Sequence, residues 1–332
     1  MIRRFSFLLA ALAALGPVGL RAAEPGASPT PDPATVVVAH YNVQNYLVMD
    51  RYLRDERRTA AAPKPEKSIA ALIAVITQAN PDLLHLTEMG PPDQFADFRR
   101  RLKAAGLDYP EAEYLQAADA NRHIALLSRY PILSRQSLGN LSFELNGVRE
   151  SVQRGILDVT VRITPTFELR VLGAHLKSRR PVPQGEALLR RNESILLRKH
   201  IDTLLAEKPD SHLLLMGDLN DTKNEPTMKE ITGVRGSPQY MADLWLADPV
   251  GDRWTYYWDT ADEYSRIDYI LVSPALFARV DFKKSGIDRS PGWNDASDHR
   301  LIYATLRTAS RKRAATPPPA ESDANAVPPE TD

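Results

Sequence analysis

The chain has 332 residues, 43% hydrophobic and 25% charged, a composition that suits a globular protein and excludes a fibre or a disordered polymer. Its 42 basic and 42 acidic side chains cancel, so any grip on nucleic acid has to come from a local patch and not from net charge. It has no cysteine, which excludes disulfides and thiolate chemistry alike.

Taken from the start, residues 1–23 read as a signal peptide. Arg3 and Arg4 supply the positive start, Phe7 to Leu15 the apolar run, Gly16 and Pro17 the break, and Ala22 and Ala23 the small residues for cleavage. The run is too short for a membrane span. The expectation is a secreted or periplasmic protein, with an uncleaved anchor as the other reading. Residues 24–33, rich in Pro, Ala, Gly and Ser, read as a flexible leader. Residues 34–308 read as one domain. Within it Thr35–Ala39 is a β-branched run fit for a buried strand. Ser68–Gln78 carries Ile69, Leu72, Ile73 and Ile76 at helical spacing. Leu83–Leu86 is a short strand, Phe95–Ala105 a helix stopped by Gly106, and Ile124–Leu127 another strand. Gly155–Ile163 and Glu168–Leu172 are consecutive strands about a turn at Pro165. Glu186–Leu205 is a long amphipathic helix. Leu213–Met216, Ile267–Val272 and Ile302–Leu306 are the later strands. Strands in pairs, alternating with helices, predict mixed sheets covered by helices. The tail, 309–332, is too polar and Pro-rich to offset its ordering entropy and reads as disordered.

Polar clusters fall at the ends of these strands, where α/β scaffolds place ligands. YNVQN (Tyr41–Asn45) offers Asn42 to orient a carboxylate or a water, or as a turn asparagine. LTEMG carries Glu88, and one or two carboxylates suffice for a hard cation such as Mg²⁺. GAHLKS carries His175, a phosphate donor or a capping histidine, followed by a basic knot of Lys177, Arg179 and Arg180 that suits an anion. GDLND packs Asp218, Asn220 and Asp221 into a turn that asks for a cation or a proton. In SRIDYILVSP, Asp268 interrupts an apolar strand and is costly to bury alone. In SDHR, Asp298 and His299 are neighbours that extended backbone sends to opposite sides. His299 is a natural partner for Asp268, which then holds its tautomer and charge. DRWTYYWD (252–259) is open to three readings: a membrane-contacting loop, a base-stacking platform, or core at a strand edge.

The ordered set NVQN, LTE, HLKS, GDLND, RIDYILVS and SDHR resembles the endonuclease/exonuclease/phosphatase family over about residues 36 to 306. GDLND departs from the commoner GDFN form and LTE from LQE, without loss of a catalytic group. The resemblance implies an α/β (α+β) fold of deoxyribonuclease I type: a four-layer sandwich of two mixed β-sheets flanked by helices, with the site at one rim. It implies a metal-dependent phosphoric ester hydrolase using Mg²⁺, with Mn²⁺ or Ca²⁺ as alternatives. Glu88 resembles the principal metal ligand, with Asn42 and Asp298 beside it. His175 matches the donor to the scissile phosphate, Asp218 the residue that orients or deprotonates the water, and Asn220 its support. His299, paired with Asp268, resembles the second imidazole, as base or as charge stabiliser. Arg122 sits where some members bind phosphate, joined by Lys177 and Arg179. The substrate is nucleic acid or another phosphodiester, with inositol phosphates and sphingomyelin as the alternatives. The protein is expected to act as a monomer without stable membrane insertion.

Overall fold

The computed structural model describes residues 34–51 and 60–309. The segments expected to be a signal peptide, a flexible leader and, beyond Ala309, a disordered tail lie outside the described residues. In chain order the elements begin with β1 (Thr35–Tyr46), α1 (Glu66–Ala79), β2 (Leu83–Met89), α2 (Pro92–Ala104), β3 (Glu111–Leu115), β4 (His123–Ser128) and β5 (Ile132–Arg135). A small hairpin follows, β6 (Ser142–Leu145) with β7 (Val148–Ser151), and then β8 (Ile156–Thr164) and β9 (Phe167–His175), which turn at Pro165 and Thr166. Next come α3 (Glu186–Glu207), β10 (Leu213–Asp218), α4 (Pro226–Thr232) and β11 (Ala242–Asp243). The last section holds the hairpin β12 (Tyr256–Trp258) and β13 (Glu263–Ser265), then β14 (Asp268–Val272), α5 (Pro274–Phe277), β15 (Val280–Ile287), α6 (Trp293–Ala296) and β16 (Ile302–Arg307).

Two six-stranded sheets form, ordered β15-β16-β1-β2-β4-β3 and β11-β14-β10-β9-β8-β5. The β1–β2 and β9–β10 pairs are parallel and the other pairs are antiparallel, so both sheets are mixed as the sequence predicts. Three apolar clusters separate four layers. Val36, Val38, Leu126, Val159, Val171 and Met216 fill the space between the sheets. Leu72, Ile76, Phe98 and Leu102 seal α1 and α2 onto the first sheet, and Leu197, Ile201 and Met228 seal α3 and α4 onto the second. Each such fully buried side chain contributes roughly 1.5–3 kcal/mol.

The helix boundaries have local causes. Helix α1 starts after Pro65 and ends where Asn80 turns left-handed (φ 43°) and gives its N–H to the Ile76 carbonyl, with Pro81 next. In α2, Pro92 takes the first helical position, where a missing N–H costs nothing. Helix α3 departs from the simple amphipathic pattern. Beside Leu197 and Ile201 it buries Arg190, Glu193 and Arg198. All three are paired: Arg198 with Asp202 and the Ile231 carbonyl, Arg190 with Asp221 at 3.2 Å, and Glu193 with the backbone N–H of Lys177 at 2.6 Å. Two of these contacts reach the loops that carry the polar motifs. No helix of the described residues is long and apolar enough to cross a membrane.

One buried cation braces the last motif. Arg300 is enclosed, with its guanidinium 4.3 Å from the Trp254 ring centre, and it donates to Asp248 at 2.9 Å and to the Asp288 carbonyl at 2.8 Å. Asp248 in turn is held down at about 2: burial alone would raise it, but bonds from Arg300, Arg289 and two backbone N–H groups outweigh that. Asp248→Ala leaves the Arg300 charge buried and unpaired. The expected loss is about 3 kcal/mol in urea unfolding, and a loss under 1 kcal/mol would show that Trp254 and the carbonyls satisfy Arg300 by themselves.

Candidate active site

Strand alternation places the site. The inward column of β1 reads Val36, Val38, His40, Asn42, and that of β2 reads Leu83, His85, Thr87. On the facing sheet β9 gives Val171, Gly173, His175, β10 gives Leu214, Met216, Asp218, and β14 gives Val272, Ile270, Asp268. Every column is aliphatic at one end and polar at the other. The polar ends meet at one rim. Strand register sets Asp218 between His175 on one side and Asp268 on the other.

The polar motifs do not follow their strands, as the sequence reading had it; the strands run through them. β1 extends to Tyr46, β9 to His175 and β10 to Asp218. The backbone ladder continues regardless of side-chain polarity, and the buried polar groups bond one another. Asn42 Nδ2 donates to Asp218 Oδ2 at 3.0 Å, and the Asn220 N–H donates to Asp218 Oδ1 at 3.0 Å. Asn220 reaches this position through a left-handed backbone (φ 55°) and gives its side-chain amide to the Leu176 carbonyl at 3.0 Å. His299 Nδ1 lies 2.8 Å from Asp268 Oδ2, the pair read from the sequence. The other oxygen of Asp268 is 3.0 Å from His40 Nε2. The Nε2 atoms of His175 and His299 flank Asp218 Oδ2 at 3.6 and 3.7 Å.

These neighbours set the charges. Burial opposes ionisation of Asp218, the Asp268 charge adds to it, and its pKa is pushed up to about 7. Burial also penalises charge on Asp268, but His299 and His40 outweigh it and hold that carboxyl far below the usual range. Burial works against protonated His299, yet Asp268, Asp218 and Asp298 together push its pKa up to about 10. His175 goes the other way: burial, reinforced by Arg154 and His299, keeps it neutral. One imidazole is thus cationic and the other neutral, on either side of a carboxylate that titrates near pH 7.

A cavity of about 400 Å³ opens over this group. Glu88, His175, Asp218, Asn220, Asp298 and His299 line its floor, and Arg179, Arg180, Tyr256 and Trp258 its sides. Glu88 is aimed by register shifts in β2 against both neighbours and by a left-handed backbone (φ 60°), which a non-glycine residue keeps only where packing enforces it. One of its oxygens accepts the Asn45 N–H at 2.9 Å. Enclosure pushes the Asp298 carboxyl up, and the Glu88 charge pushes it further. Two carboxylates turned to one cavity, with oxygen atoms left for ligation, fit a hard divalent cation. Asp218, Asp268 and His299 also bring three ligand atoms within 4.8 Å of one another. Both Asp268 oxygens and His299 Nδ1 are already hydrogen-bonded there, so that group reads as a proton-handling triad and Glu88 with Asp298 as the cation pair.

The other predicted residues fall as follows. Asn42 lies behind the wall, bonded to Asp218 and accepting the Gln44 N–H at 3.0 Å. Asp268 lies behind His299. Lys177 does not line the cavity; its ammonium donates to the Ser178 and Arg180 carbonyls, both at 3.0 Å. Arg122 lines a neighbouring cleft that shares Arg180 with the cavity, and bonds Asn45 Oδ1 at 2.7 Å, so it steadies the end of β1, whose Asn45 N–H holds Glu88. Asp298 and His299, expected on opposite sides, line the cavity together, because the chain bends at Asp298 and regular strand begins only at Ile302. Tyr256, singled out only as part of the DRWTYYWD segment, has its ring centre 4.8 Å from that of His299. The motifs left out Lys64, which is buried near Glu88 and Asp298, its pKa lowered by burial to about 8, and donates to the Gln44 carbonyl at 3.2 Å. His40 and His85 were readable: each is a polar residue inside an apolar strand, the very signal that singled out Asp268.

A family model described as Endonuclease/Exonuclease/phosphatase family matches residues 39–299. Among curated proteins no sequence matches the chain. The human Nocturnin catalytic domain, solved with bound sulfate, is 16% identical with a TM-score of 0.59 over 83% of this chain and 95% of that one. TDP2 of D. rerio, solved with a single-strand DNA product, is 17% identical with a TM-score of 0.56 over 83% of this chain and 100% of that one. An endonuclease/exonuclease/phosphatase from Beutenbergia cavernae is 20% identical with a TM-score of 0.56 over 83% of this chain and 72% of that one. At these identities the likeness is one of fold, two mixed sheets with flanking helices.

Proposed function

This chain belongs to the endonuclease/exonuclease/phosphatase family of phosphoric ester hydrolases, and from that premise we propose that it is a divalent-metal-dependent phosphodiesterase that hydrolyses nucleic acid after export from the cytoplasm. The export reading is supported by the pattern from Arg3 to Ala23. The observation that carries the substrate reading is the single cavity itself. Its floor bears the acid–base group, and its sides bear Arg179 and Arg180 for phosphates and the exposed Trp258 ring for a base.

The residues divide the work by charge. Asp218 ionises near neutral pH and takes the proton of the attacking water, held in place by Asn42 and Asn220. His299, cationic and oriented by Asp268, offers Nε2–H to a non-bridging oxygen as charge builds there. Neutral His175 adds an uncharged donor opposite. A cation held by Glu88 and Asp298 would supply Lewis acidity at the phosphate. The carboxylates Asp259, Asp262 and Glu263 on the β12–β13 hairpin disfavour an anionic membrane surface as the partner of Trp258.

The test offers purified protein plasmid DNA, a single-stranded oligonucleotide, RNA, sphingomyelin and an aryl phosphodiester. Nucleic acid is expected to be cut, with affinity falling steeply as salt rises. Arg179→Ala and Arg180→Ala are each expected to lower the slope of log affinity against log salt by about one. Turnover of sphingomyelin but not of nucleic acid, or an unchanged slope in both variants, would transfer the enzyme to another phosphoester.

A further inference from the structure

Two interior histidines take no part in the cavity wall. His40 on β1 and His85 on β2 are wholly buried and stand side by side in register. Their Nδ1 atoms are 2.8 Å apart, and His40 Nε2 is 3.0 Å from Asp268 Oδ1. The second Asp268 oxygen holds His299 Nδ1 at 2.8 Å. A continuous line, His85–His40–Asp268–His299, therefore crosses from the first sheet to the second and ends in the cavity.

The direction of its protons follows from the carboxylate. Asp268 only accepts, so His40 Nε2 carries a hydrogen and points it at Oδ1. The 2.8 Å contact between the two Nδ1 atoms needs one donor and one acceptor, so His85 Nδ1 takes the role that His40 Nδ1 leaves open. Burial, with the neighbouring His40, pushes the His85 pKa well down. Its Nε2 has no hydrogen-bond partner among the described residues. It lies against Gly173 of the facing sheet, where a Cβ would stand 2.3 Å away. Gly173 makes the room for His85, and His85 closes against His40 from behind.

A carboxylate bonded through one oxygen can still swing about its Cβ–Cγ bond. Bonded through both, it cannot, and the ring it orients is fixed with it. We propose that His40 is a positioning residue for phosphodiester hydrolysis: braced by His85, it gives Asp268 a second imidazole N–H and so fixes the carboxylate on which His299 is oriented. This rests on the hydrolase reading above and adds to it a shell of residues on the opposite sheet.

The test uses the full chain with bis(4-nitrophenyl) phosphate and Mn²⁺. His40→Leu, His40→Gln and His85→Leu are measured with Asp268 intact and in the Asp268→Asn background, and the imidazole N–H resonances are followed by proton NMR. His40→Leu is expected to lower kcat roughly 10- to 100-fold, with KM changed less than about twofold. His40→Gln, whose amide can donate the same bond, is expected to recover most of that loss. In the Asp268→Asn background the leucine change is expected to cost little, since the group it acts through has gone. The His299 Nδ1–H resonance is expected to shift or broaden in His40→Leu, a readout that needs no substrate. Equal losses in both backgrounds, a loss confined to KM, or an unmoved His299 resonance would overturn the assignment. Should His40→Leu not fold, His85→Leu, which removes the group that braces His40, gives the same comparison of backgrounds. If wild type turns over no phosphoester, the hydrolase reading falls, while the resonances still decide whether His40 holds Asp268.

Discussion

Exhaustive chelation is expected to abolish turnover, and Mg²⁺ or Mn²⁺ to restore it. Glu88 and Asp298 face the same cavity, and the Asp298 carboxyl is pushed up by its enclosure and then by the Glu88 charge. Two like charges so placed repel until a cation sits between them. A Lewis acid supplies several kcal/mol of transition-state stabilisation, so removal corresponds to roughly three orders of magnitude in rate. Glu88→Gln separates this from folding. The residue is partly exposed at the cavity, and the substitution relieves repulsion, so thermal stability is expected to hold or rise while the metal concentration for half-maximal activity increases. Assays over a metal titration, with melting curves alongside, read both. Full activity in metal-free buffer would remove the cation from the scheme and with it the role given to Glu88.

His299→Ala is expected to lower kcat by about 10³-fold, the scale for loss of a single preorganised charge-stabilising donor. The pH–rate profile states why. Asp218, with a pKa pushed up to about 7, must lose its proton to act as base, so rate rises through neutrality. His299, with a pKa pushed up to about 10, must keep its proton to stabilise charge, so rate falls as pH approaches 10. The expected profile is a bell between those limbs. Asp268→Asn removes the charge that supports His299 and also the charge that opposes ionisation of Asp218. Both limbs then move to lower pH, and kcat falls less than in His299→Ala because the amide still orients the ring. If His299 were the base, wild type would accelerate all the way towards pH 10, and Asp268→Asn would raise the rate at pH 7. A bell that does not move in Asp268→Asn would reduce the pair to a structural role.

The site was legible in the sequence wherever a polar residue stood out against an apolar run. Asp268 was read from its place between Ile267 and Ile270, and its partner His299 followed. The same contrast marks His40 in TVVVAHYN and His85 in LLHL, yet histidine is common in cores as a weakly polar filler and drew no weight. The sheets themselves followed from β-branched runs, but the edges β3, β5 and β11 are short and half-polar, so pattern alone did not separate them from loops. Long cations were the least predictable. Lys177 and Arg122 sit in the right segments, but a flexible stem lets the head group satisfy a local carbonyl or amide, as both do. Neighbours can also end on one side of a site when the chain bends between strands, as at Asp298. The DRWTYYWD segment divides: Trp254 packs under Arg300, while Trp258 stands half exposed at the cavity.

The two bonds that cross between the sheets, Asn42 to Asp218 and His40 to Asp268, join positions 176 and 228 apart in the chain. Contacts of such long range form only once both halves of the sandwich have been made and brought together. Neither half contains the whole site: the first sheet holds Glu88, and the second holds Asp218 with His175 and Asp268 beside it in register. A nascent or partly unravelled molecule therefore lacks the joined site, which forms only at the closing step of assembly. For a hydrolase of phosphoesters, made in a cell full of them, that built-in delay is expected to act as a safeguard.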